Sequence, residues 1–347
     1  MRADAGLPFL LQFENVAHYD GGNVVILDRR KYPGSIEYVT CTTYQEVAQA
    51  IAAMVTQSYG PYVAAAYGMA SAARSIRGMN WQEAREGLER AADALSHARP
   101  TTTSGMKNHI NRILASSIHA LETGQDVEAC TLATVNHWLE TRYLQDKRTA
   151  AFAVGLFPDP VRILTQCFAE TYIGYTLLLA RAAGKQVSLI CPETRPYLQG
   201  ARLTASVARD MDIPVTVITD NMPGYVLSQG KVDVFVCAAD VVTLDGYVVN
   251  KVGTFQIALA AHAFNVPFYV LRDPSPGNPT IWTVKIEERD PEEVTHAMGI
   301  RTVKEGVRGY YPAFDITPPN LVSAVITSKG IFSPYDCATF ANRPPLV

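Results

Sequence analysis

Apolar and polar positions follow different patterns in the two halves of the chain. In the first half, short apolar runs at residues 9–13 and 23–28 flank the turn residues 19–22, which predicts a β-hairpin. Residues 36–41 alternate between the two classes and predict a third strand. Helical spacing of apolar positions then continues to about residue 145. The pattern predicts a small β-sheet followed by helices in residues 1–145.

Five helices are predicted in this half, and two of them begin at clear capping residues. Thr43, with Glu46 three residues later, and Asn80 are favourable N-cap residues. We expect Pro61 to end the first helix. The alanine-rich helix that follows contains Gly68, so we expect it to pack tightly against a neighbour. The remaining helices are predicted at residues 63–77, 81–96, 106–122 and 127–143.

Strands and helices alternate from about residue 150 onward. Runs rich in β-branched residues predict strands at residues 162–167, 186–191, 215–220, 232–236 and 267–271. Helices are predicted at residues 175–183, 203–211, 225–229 and 253–264, with a last helix at 321–327 ended by Gly330. Strands that alternate with helices form a parallel sheet covered on both faces. We therefore predict an α/β fold with this sheet in residues 146–347.

Composition and charge exclude several classes of protein. The 347 residues suffice for two ordinary domains, and the net charge of −3 provides no basic field for nucleic acid or an anionic membrane. Six cysteines without a C-x-x-C pair, and seven histidines without metal-ligand spacing, predict reduced thiols and no metal site. No apolar run approaches the roughly 18 residues of a membrane span, and the start does not resemble a signal peptide. We expect a cytoplasmic protein.

Polar side chains follow the predicted parallel strands where each strand ends. In such sheets, ligands bind beyond the carboxyl ends of the strands, and no G-x-G-x-x-G dinucleotide motif follows any of them. A thiol and a carboxylate that meet there could share proton transfer. Packing of the thiol and turn capping by the carboxylate are the alternatives. The residues concerned are Cys167, Glu193, Asp220 and Asp240.

Two further stretches carry groups suited to anion binding. Gln199 and Arg202 lie where a helix is expected to begin, and backbone N–H groups at such a point can hold an anion. Asn250 and Lys251 precede Gly253 at the expected start of another helix. A solvated helix face and a surface lysine are the alternatives.

Several motifs resemble those of the methylthioribose-1-phosphate isomerases. The most diagnostic is Glu-Thr-Arg-Pro-Tyr-Leu-Gln-Gly-Ala-Arg at residues 193–202. The superfamily also includes ribose-1,5-bisphosphate isomerase and regulatory subunits of a translation-initiation exchange factor. The resemblance runs from about residue 27 to residue 334. Further matching segments lie at residues 64–68, 218–222, 229–233, 250–254, 286–293 and 312–318.

The resemblance implies a fold, an activity and a set of site residues. It implies a helical N-terminal domain, a Rossmann-like C-terminal domain, a homodimer and a role in methionine salvage. It further implies conversion of an aldose 1-phosphate into a ketose 1-phosphate without a cofactor. The catalytic pair would be Cys167 and Asp240. The substrate-binding residues would be Arg99, Gln199, Asn250 and Lys251.

The residue types suit this chemistry. A phosphate on the anomeric oxygen prevents simple ring opening, so an acid is needed at the ring oxygen, and an apolar site would keep Asp240 protonated for that task. Cys167 would take the proton from C2, or would shuttle a hydroxyl proton while a hydride moves from C2 to C1. We expect Lys251 and Arg99 to lower the pKa of the thiol. The sequence leaves both routes open.

Departures from the family pattern lead to a second hypothesis. Residues 56–62 contain no cation where the family has Arg-Gly-Ala-Pro, and Tyr59 and Tyr62 add bulk. Residues 168–171 replace an Asn- and Gly-containing turn with one that carries Glu170, and Pro192 replaces an acidic residue. We predict a paralogue with altered specificity at the phosphate or the 5-substituent, such as a 5-deoxyribose 1-phosphate isomerase. The alternative is a non-catalytic sugar-phosphate or nucleotide-binding homologue.

Overall fold

The chain divides into two units, Met1–Leu144 and Gln145–Val347. The computed structural model describes residues 2–98 and 103–343. The first unit contains a three-stranded sheet and helices, and the second contains the parallel sheet.

The sheet of the first unit is antiparallel, and a two-glycine turn fixes its register. Its strands are β1 (Ala17–Asp20), β2 (Asn23–Leu27) and β3 (Tyr38–Cys41). Gly21 and Gly22 have φ of 57° and 109°, as a tight hairpin turn requires. The prediction of a strand at residues 9–13 was wrong, because a two-residue turn pairs β2 with the residues immediately before it. Those earlier residues form a short 3-10 turn, Phe9–Leu11, and helix α1, Phe13–Val16.

The remaining helices of this half follow the predicted caps more closely than the predicted ends. Thr43 Oγ1 accepts a hydrogen bond from Glu46 N at 3.2 Å, and Asn80 forms a reciprocal capping box with Glu83. Pro61 lies in the first turn of a helix and does not end one, because proline fits that position without loss of a hydrogen bond. The helices are α2 (Tyr44–Ala52), α3 (Gly60–Ser75), α4 (Trp81–Ser96), α5 (Thr103–Glu122) and α6 (Val127–Gly155).

Helix α3 forms the core of the first unit. Its alanines are buried along the whole helix, and it packs against α2, α4 and α5. A Cβ at Gly68 would lie 3.0 Å from the side chain of Leu95, so the absence of a side chain permits this close approach. The expected tight packing of the alanine-rich helix is confirmed.

The second unit contains a seven-stranded sheet in the order β15-β14-β10-β7-β4-β5-β6. All neighbouring strands are parallel except the edge pair β14 and β15. The sheet strands are β4 (Val161–Leu164), β5 (Val187–Pro192), β6 (Val215–Ile218), β7 (Val234–Ala238), β10 (Phe268–Leu271), β14 (Ala324–Thr327) and β15 (Gly330–Phe332). The helices are α7 (Thr171–Ala182), α8 (Ala205–Asp210), α9 (Pro223–Ser228), α10 (Thr254–Ala263) and α11 (Glu292–Thr295).

This strand order confirms the predicted Rossmann-like α/β fold. From β4 the chain adds β5 and β6 on one side, then returns to add β7, β10 and β14 on the other. Helix α7 packs against α8, and α9 packs against α10. The order is that of Rossmann-type doubly wound sheets, in which ligands bind where the direction reverses. Here that point lies between β4 and β7.

Two features of the second unit differ from the prediction. The prediction of a helix at residues 321–327 was wrong, because the β-branched residues of this segment form β14, which pairs with β10 and β15. Asn250 and Lys251 end a strand and do not begin a helix. That strand belongs to a small antiparallel sheet in the order β13-β9-β8. Besides β15 and α11, the elements not predicted are β8 (Val241–Val242), β9 (Val248–Lys251), β11 (His296–Ala297), β12 (Ile300–Arg301) and β13 (Phe314–Thr317).

Candidate active site

The predicted catalytic pair lies where the sheet reverses direction. Cys167 follows β4 and Asp240 follows β7, and these two strands are hydrogen-bonded neighbours. The charge of Asp240 raises the pKa of the Cys167 thiol, so the two side chains share one electrostatic environment. The fold therefore brings a thiol and a carboxyl group, far apart in sequence, to the same crevice.

The backbone of Cys167 has an unusual conformation that two threonines maintain. Its φ is 61°, in the left-handed region that residues other than glycine rarely adopt. The Cys167 N–H donates to Thr194 Oγ1 at 3.2 Å, and Thr204 Oγ1 donates to the Cys167 carbonyl at 2.5 Å. These bonds connect the thiol-bearing turn to the residues that follow β5.

Burial dominates the ionisation of Cys167. It raises the pKa of the thiol to about 11, and the negative charge of Asp240 acts in the same direction. Lys251 and Arg289 lower this pKa, as expected of neighbouring cations, but they do not outweigh burial. The thiol therefore carries its proton at neutral pH, whereas the sequence led us to expect a more acidic thiol.

Gln199 lies in the protein interior, which excludes the solvated helix face as its setting. It is 4% exposed, and its Oε1 has no hydrogen-bond partner in the described structure. It directly precedes a turn of π-helix, Gly200–Thr204, a conformation frequent at functional sites. A Cβ at Gly200 would lie 1.8 Å from the carbonyl oxygen of Pro192, so only glycine allows this loop to approach β5.

Asn250 and Lys251 are both buried at the end of β9, so the surface-lysine alternative was wrong. Asn250 Nδ2 donates to Thr254 Oγ1 at 3.1 Å and lies 3.5 Å from Cys237 Sγ. Lys251 is 4% exposed, and its charge acts on Cys167. Lys251 therefore lies in the electrostatic environment of Cys167, and the amide of Asn250 holds the end of β9 in place.

The acidic residues after β5 and β6 have structural roles. The carboxylate of Asp220 accepts the backbone N–H groups of Thr194 and Arg195, each at 2.7 Å. Arg195 in turn donates from Nη2 to the carbonyl of His296 at 2.7 Å. Burial and the charge of Asp220 raise the pKa of Glu193. These contacts fix the turn that leads to Gln199.

Sequence reasoning assigned no role to three residues that complete the site. Arg289 lies beside Tyr311, and both interact electrostatically with Cys167. Asp315, on β13, accepts the N–H groups of Gly253 and Phe255 at 2.7 and 3.1 Å. Burial raises the pKa of Asp315 to about 6. Arg289 falls in a segment that matched the family pattern, and this match was the available signal.

The substituted segment of the first unit is aromatic, and a buried cation lies next to it. The rings of Tyr59 and Tyr62 stack at 4.4 Å, and the guanidinium of Arg142 lies 3.2 Å from the Tyr59 ring centroid. Arg29, which is fully buried, donates from Nη1 to the carbonyl of Gln57 at 2.8 Å. Residues 56–62 contain no cation, but the fold supplies Arg29 from just beyond β2.

Arg99 lies outside the described residues. Within residues 2–98 and 103–343, no cluster of histidine, cysteine, aspartate or glutamate side chains could hold a metal ion. In the same ranges, no helix is both long and apolar enough to cross a bilayer.

Comparison with known proteins places this site among related enzymes and related initiation-factor subunits. A family model described as the Initiation factor 2 subunit family matches residues 55–334. A methylthioribose-1-phosphate isomerase of Pelotomaculum thermopropionicum is 38% identical over 91% of this chain and 90% of its own length. One from Thermotoga neapolitana is 37% identical, with 91% and 94% covered.

Solved structures give the same two groups. The 5-methylthioribose 1-phosphate isomerase of Pyrococcus horikoshii superposes with a TM-score of 0.83 and 26% identity, covering 98% of this chain and 96% of that one. The translation initiation factor eIF-2B subunit delta of A. fulgidus gives a TM-score of 0.78 and 32% identity, with 92% and 96% covered.

Proposed function

Because the chain belongs to the initiation factor 2 subunit family, we propose that it is a cofactor-independent aldose–ketose isomerase. The substrate is methylthioribose 1-phosphate or an analogue such as 5-deoxyribose 1-phosphate, and the product is the corresponding ribulose 1-phosphate. The names of relatives 37–38% identical over most of the chain support this substrate class and a role in methionine salvage. The observation that carries the proposal is the position of Cys167 and Asp240 after the neighbouring parallel strands β4 and β7.

In the proposed reaction, the protein moves protons and the substrate keeps its electrons. Protonated Asp240 gives its proton to the ring oxygen as the bond from that oxygen to C1 breaks. In one route Cys167 takes the proton from C2 and returns it to C1, and Asp240 regains a proton from the O2 hydroxyl as the C2 carbonyl forms. In the other, a hydride passes from C2 to C1 and Cys167 removes the hydroxyl proton from O2. Either route leaves a carbonyl at C2 and the phosphate ester at C1.

Because burial raises its pKa, the Cys167 thiol must lose its proton before it can act as a base. In the ligand-free protein the thiol holds a proton at neutral pH, and the charge of Asp240 favours that state. The reactive arrangement has the same net charge but places the proton on Asp240. Once Asp240 is neutral, Lys251 and Arg289 stabilise the thiolate.

Direct observation of the reaction by NMR tests this proposal. We expect ketose signals from methylthioribose 1-phosphate, and both Cys167→Ser and Asp240→Asn should lower kcat roughly 100-fold or more. Cys130→Ser, which alters a thiol on α6 of the first unit, serves as the matched control. Turnover that survives both site substitutions would refute the assigned roles. Exchange of the C2 proton with deuterated solvent separates the proton-transfer route from the hydride route.

A non-catalytic binding protein is the second candidate function. The 32% identity to an initiation-factor subunit favours it, since that relative covers nearly the whole chain. A pure binder has no need of a thiol and a carboxyl group at the switch point. Tight binding of a ribose 1-phosphate by the wild-type protein without any turnover would favour this candidate over the isomerase.

We further propose that the protein acts as a homodimer in the cytoplasm. Two large apolar side chains of the second unit, Trp282 and Met298, are 92% and 91% exposed, and such side chains are typical of protein interfaces. None of the six cysteines, all within the described residues, forms a disulfide, which agrees with a reducing compartment. Light scattering should give twice the 37.9 kDa of one chain, and a monomer at micromolar concentration would contradict the dimer.

A further inference from the structure

Arg289 has a guanidinium group that the fold satisfies only in part. Its side chain is 7% exposed, and its Nε donates to Glu287 Oε1 at 2.8 Å. Its Nη1 is buried and has no hydrogen-bond partner in the described structure. A buried charged donor left without an acceptor is costly, because it has lost its water and gained nothing in exchange.

A second cation lies beside the same two aromatic rings. The guanidinium carbon of Arg289 lies 5.6 Å from the Phe314 ring centroid and 5.9 Å from that of Tyr311. Lys251 Nζ lies 5.0 and 5.7 Å from the same two centroids. Both cations also act on Cys167. The fold thus holds two like charges together at the edge of the site, an arrangement that an anion would stabilise.

The acidic groups near these cations do not pair with Nη1 of Arg289. Glu287 binds the Nε edge of Arg289 and leaves the Nη1 edge available. Asp315 directs one oxygen to the backbone of Gly253 and Phe255. Glu293 lies near both cations, and its burial raises its pKa.

We propose that Arg289 is a phosphate-binding residue, which acts beside Lys251 and directs Nη1 to an oxygen of the substrate phosphate. This inference rests on the proposed function for the identity of the substrate, but phosphate recognition itself does not depend on turnover. An arginine fork pairs well with phosphate oxygens, and one such charged hydrogen bond contributes roughly 10- to 100-fold in affinity. Residues 56–62 lack the arginine of the family pattern, so Arg289 supplies a phosphate contact from the second unit.

Titration with inorganic phosphate, followed by 31P NMR, tests this inference on the whole protein. Arg289→Gln should weaken phosphate binding roughly 10- to 100-fold, and Arg289→Lys should give an intermediate loss. Arg308→Gln removes the same charge from an exposed position in the same segment and should leave binding unchanged. Equal phosphate affinity in the wild type and Arg289→Gln would overturn the inference, as would a wild type that binds no phosphate.

Steady-state kinetics separate a binding role from a structural one. For methylthioribose 1-phosphate, Arg289→Gln should raise KM at least 10-fold, with a smaller change in kcat, because it removes a contact made in the ground state. Thermal unfolding checks that the variant folds, and Arg289→Lys keeps a buried cation if it does not. If no sugar phosphate turns over but phosphate binding still depends on Arg289, the proposed isomerase fails and this inference stands. If turnover occurs with unchanged KM in both variants, this inference fails alone.

Discussion

At the scale of single residues, four of the nine described non-glycine residues with positive φ lie near the candidate site. Cys167, Glu170, Thr194 and Leu198 have φ of 61°, 47°, 64° and 58°, and all four lie in the segments that follow β4 and β5. Each such residue costs on the order of 1 kcal/mol and persists only where its surroundings hold it. The hydrogen bonds of Thr194 and Thr204 to Cys167 provide that support. Strain of this kind, seen at one sheet edge, supports a functional role for that edge.

The ionisation of Cys167 gives a test that needs no substrate. Because burial raises its pKa to about 11, the thiolate fraction should rise about tenfold per pH unit up to that value. We expect alkylation by iodoacetamide, followed by peptide mass spectrometry at residue 167, to accelerate in the same way from pH 7 to pH 10. Saturating phosphate should slow it at every pH, because the dianion weakens the effect of Lys251 and Arg289. A rate that levels off below pH 8 would show that the thiol ionises near neutrality.

At the scale of elements, the loop after β5 is held in place by contacts distant in sequence. Gly200 lies against the backbone of Pro192, and the carboxylate of Asp220 binds the turn that begins at Thr194. The π-helical turn then places Thr204 against the carbonyl of Cys167. The loop therefore positions the turn that bears Cys167 as well as Gln199.

Substitution of glycine by alanine tests this close packing. Gly200→Ala places a Cβ 1.8 Å from a backbone oxygen, which no rotamer change can relieve, so we expect a loss of roughly 2–4 kcal/mol in the free energy of unfolding. The control is Gly224→Ala in α9, where nothing lies within 4 Å of the new Cβ. That change should be neutral or stabilise the protein by up to about 1 kcal/mol. Urea unfolding measures both, and equal effects would show that the loop is not tightly packed.

At the scale of the whole molecule, the sequence predicted elements that depend on local patterns better than elements that depend on long-range contacts. The alternation after residue 150 predicted the parallel sheet, and apolar strand ends placed Cys167 and Asp240 correctly in sequence. The sheet of β8, β9 and β13 was missed because β9 pairs with a strand more than 60 residues later. Within the predicted helix at 321–327, residues 324–327 form a strand only because β10 and β15 provide partners. Short apolar runs do not contain that information.

In the candidate site, too, some features were predicted from local sequence patterns and others depend on the folded chain. Types and positions of the acid and the thiol were readable from the sequence, as was Lys251. The contribution of Arg289 depends on the rings of Tyr311 and Phe314, which only the folded chain brings together. The raised pKa of Cys167 likewise depends on burial, which no local pattern encodes.

The overall stoichiometry of the proposed reaction predicts which cofactors it needs. An aldose phosphate and its ketose isomer have the same oxidation state overall, so no external electron acceptor is needed. We expect turnover to continue unchanged after dialysis against EDTA and without added nicotinamide or flavin. Loss of activity on chelation, restored by a divalent ion, would contradict a mechanism carried by side chains alone. Enzyme dialysed in parallel without chelator is the control.

Arg195 contacts two segments of the second unit that are far apart in sequence. Its backbone is anchored by Asp220, and its guanidinium reaches the carbonyl of His296, in the stretch that continues from Arg289 through α11. The Arg195 side chain therefore connects the segment that bears Gln199 with the segment that bears Arg289. We therefore expect a ligand that displaces one of these segments to displace the other as well.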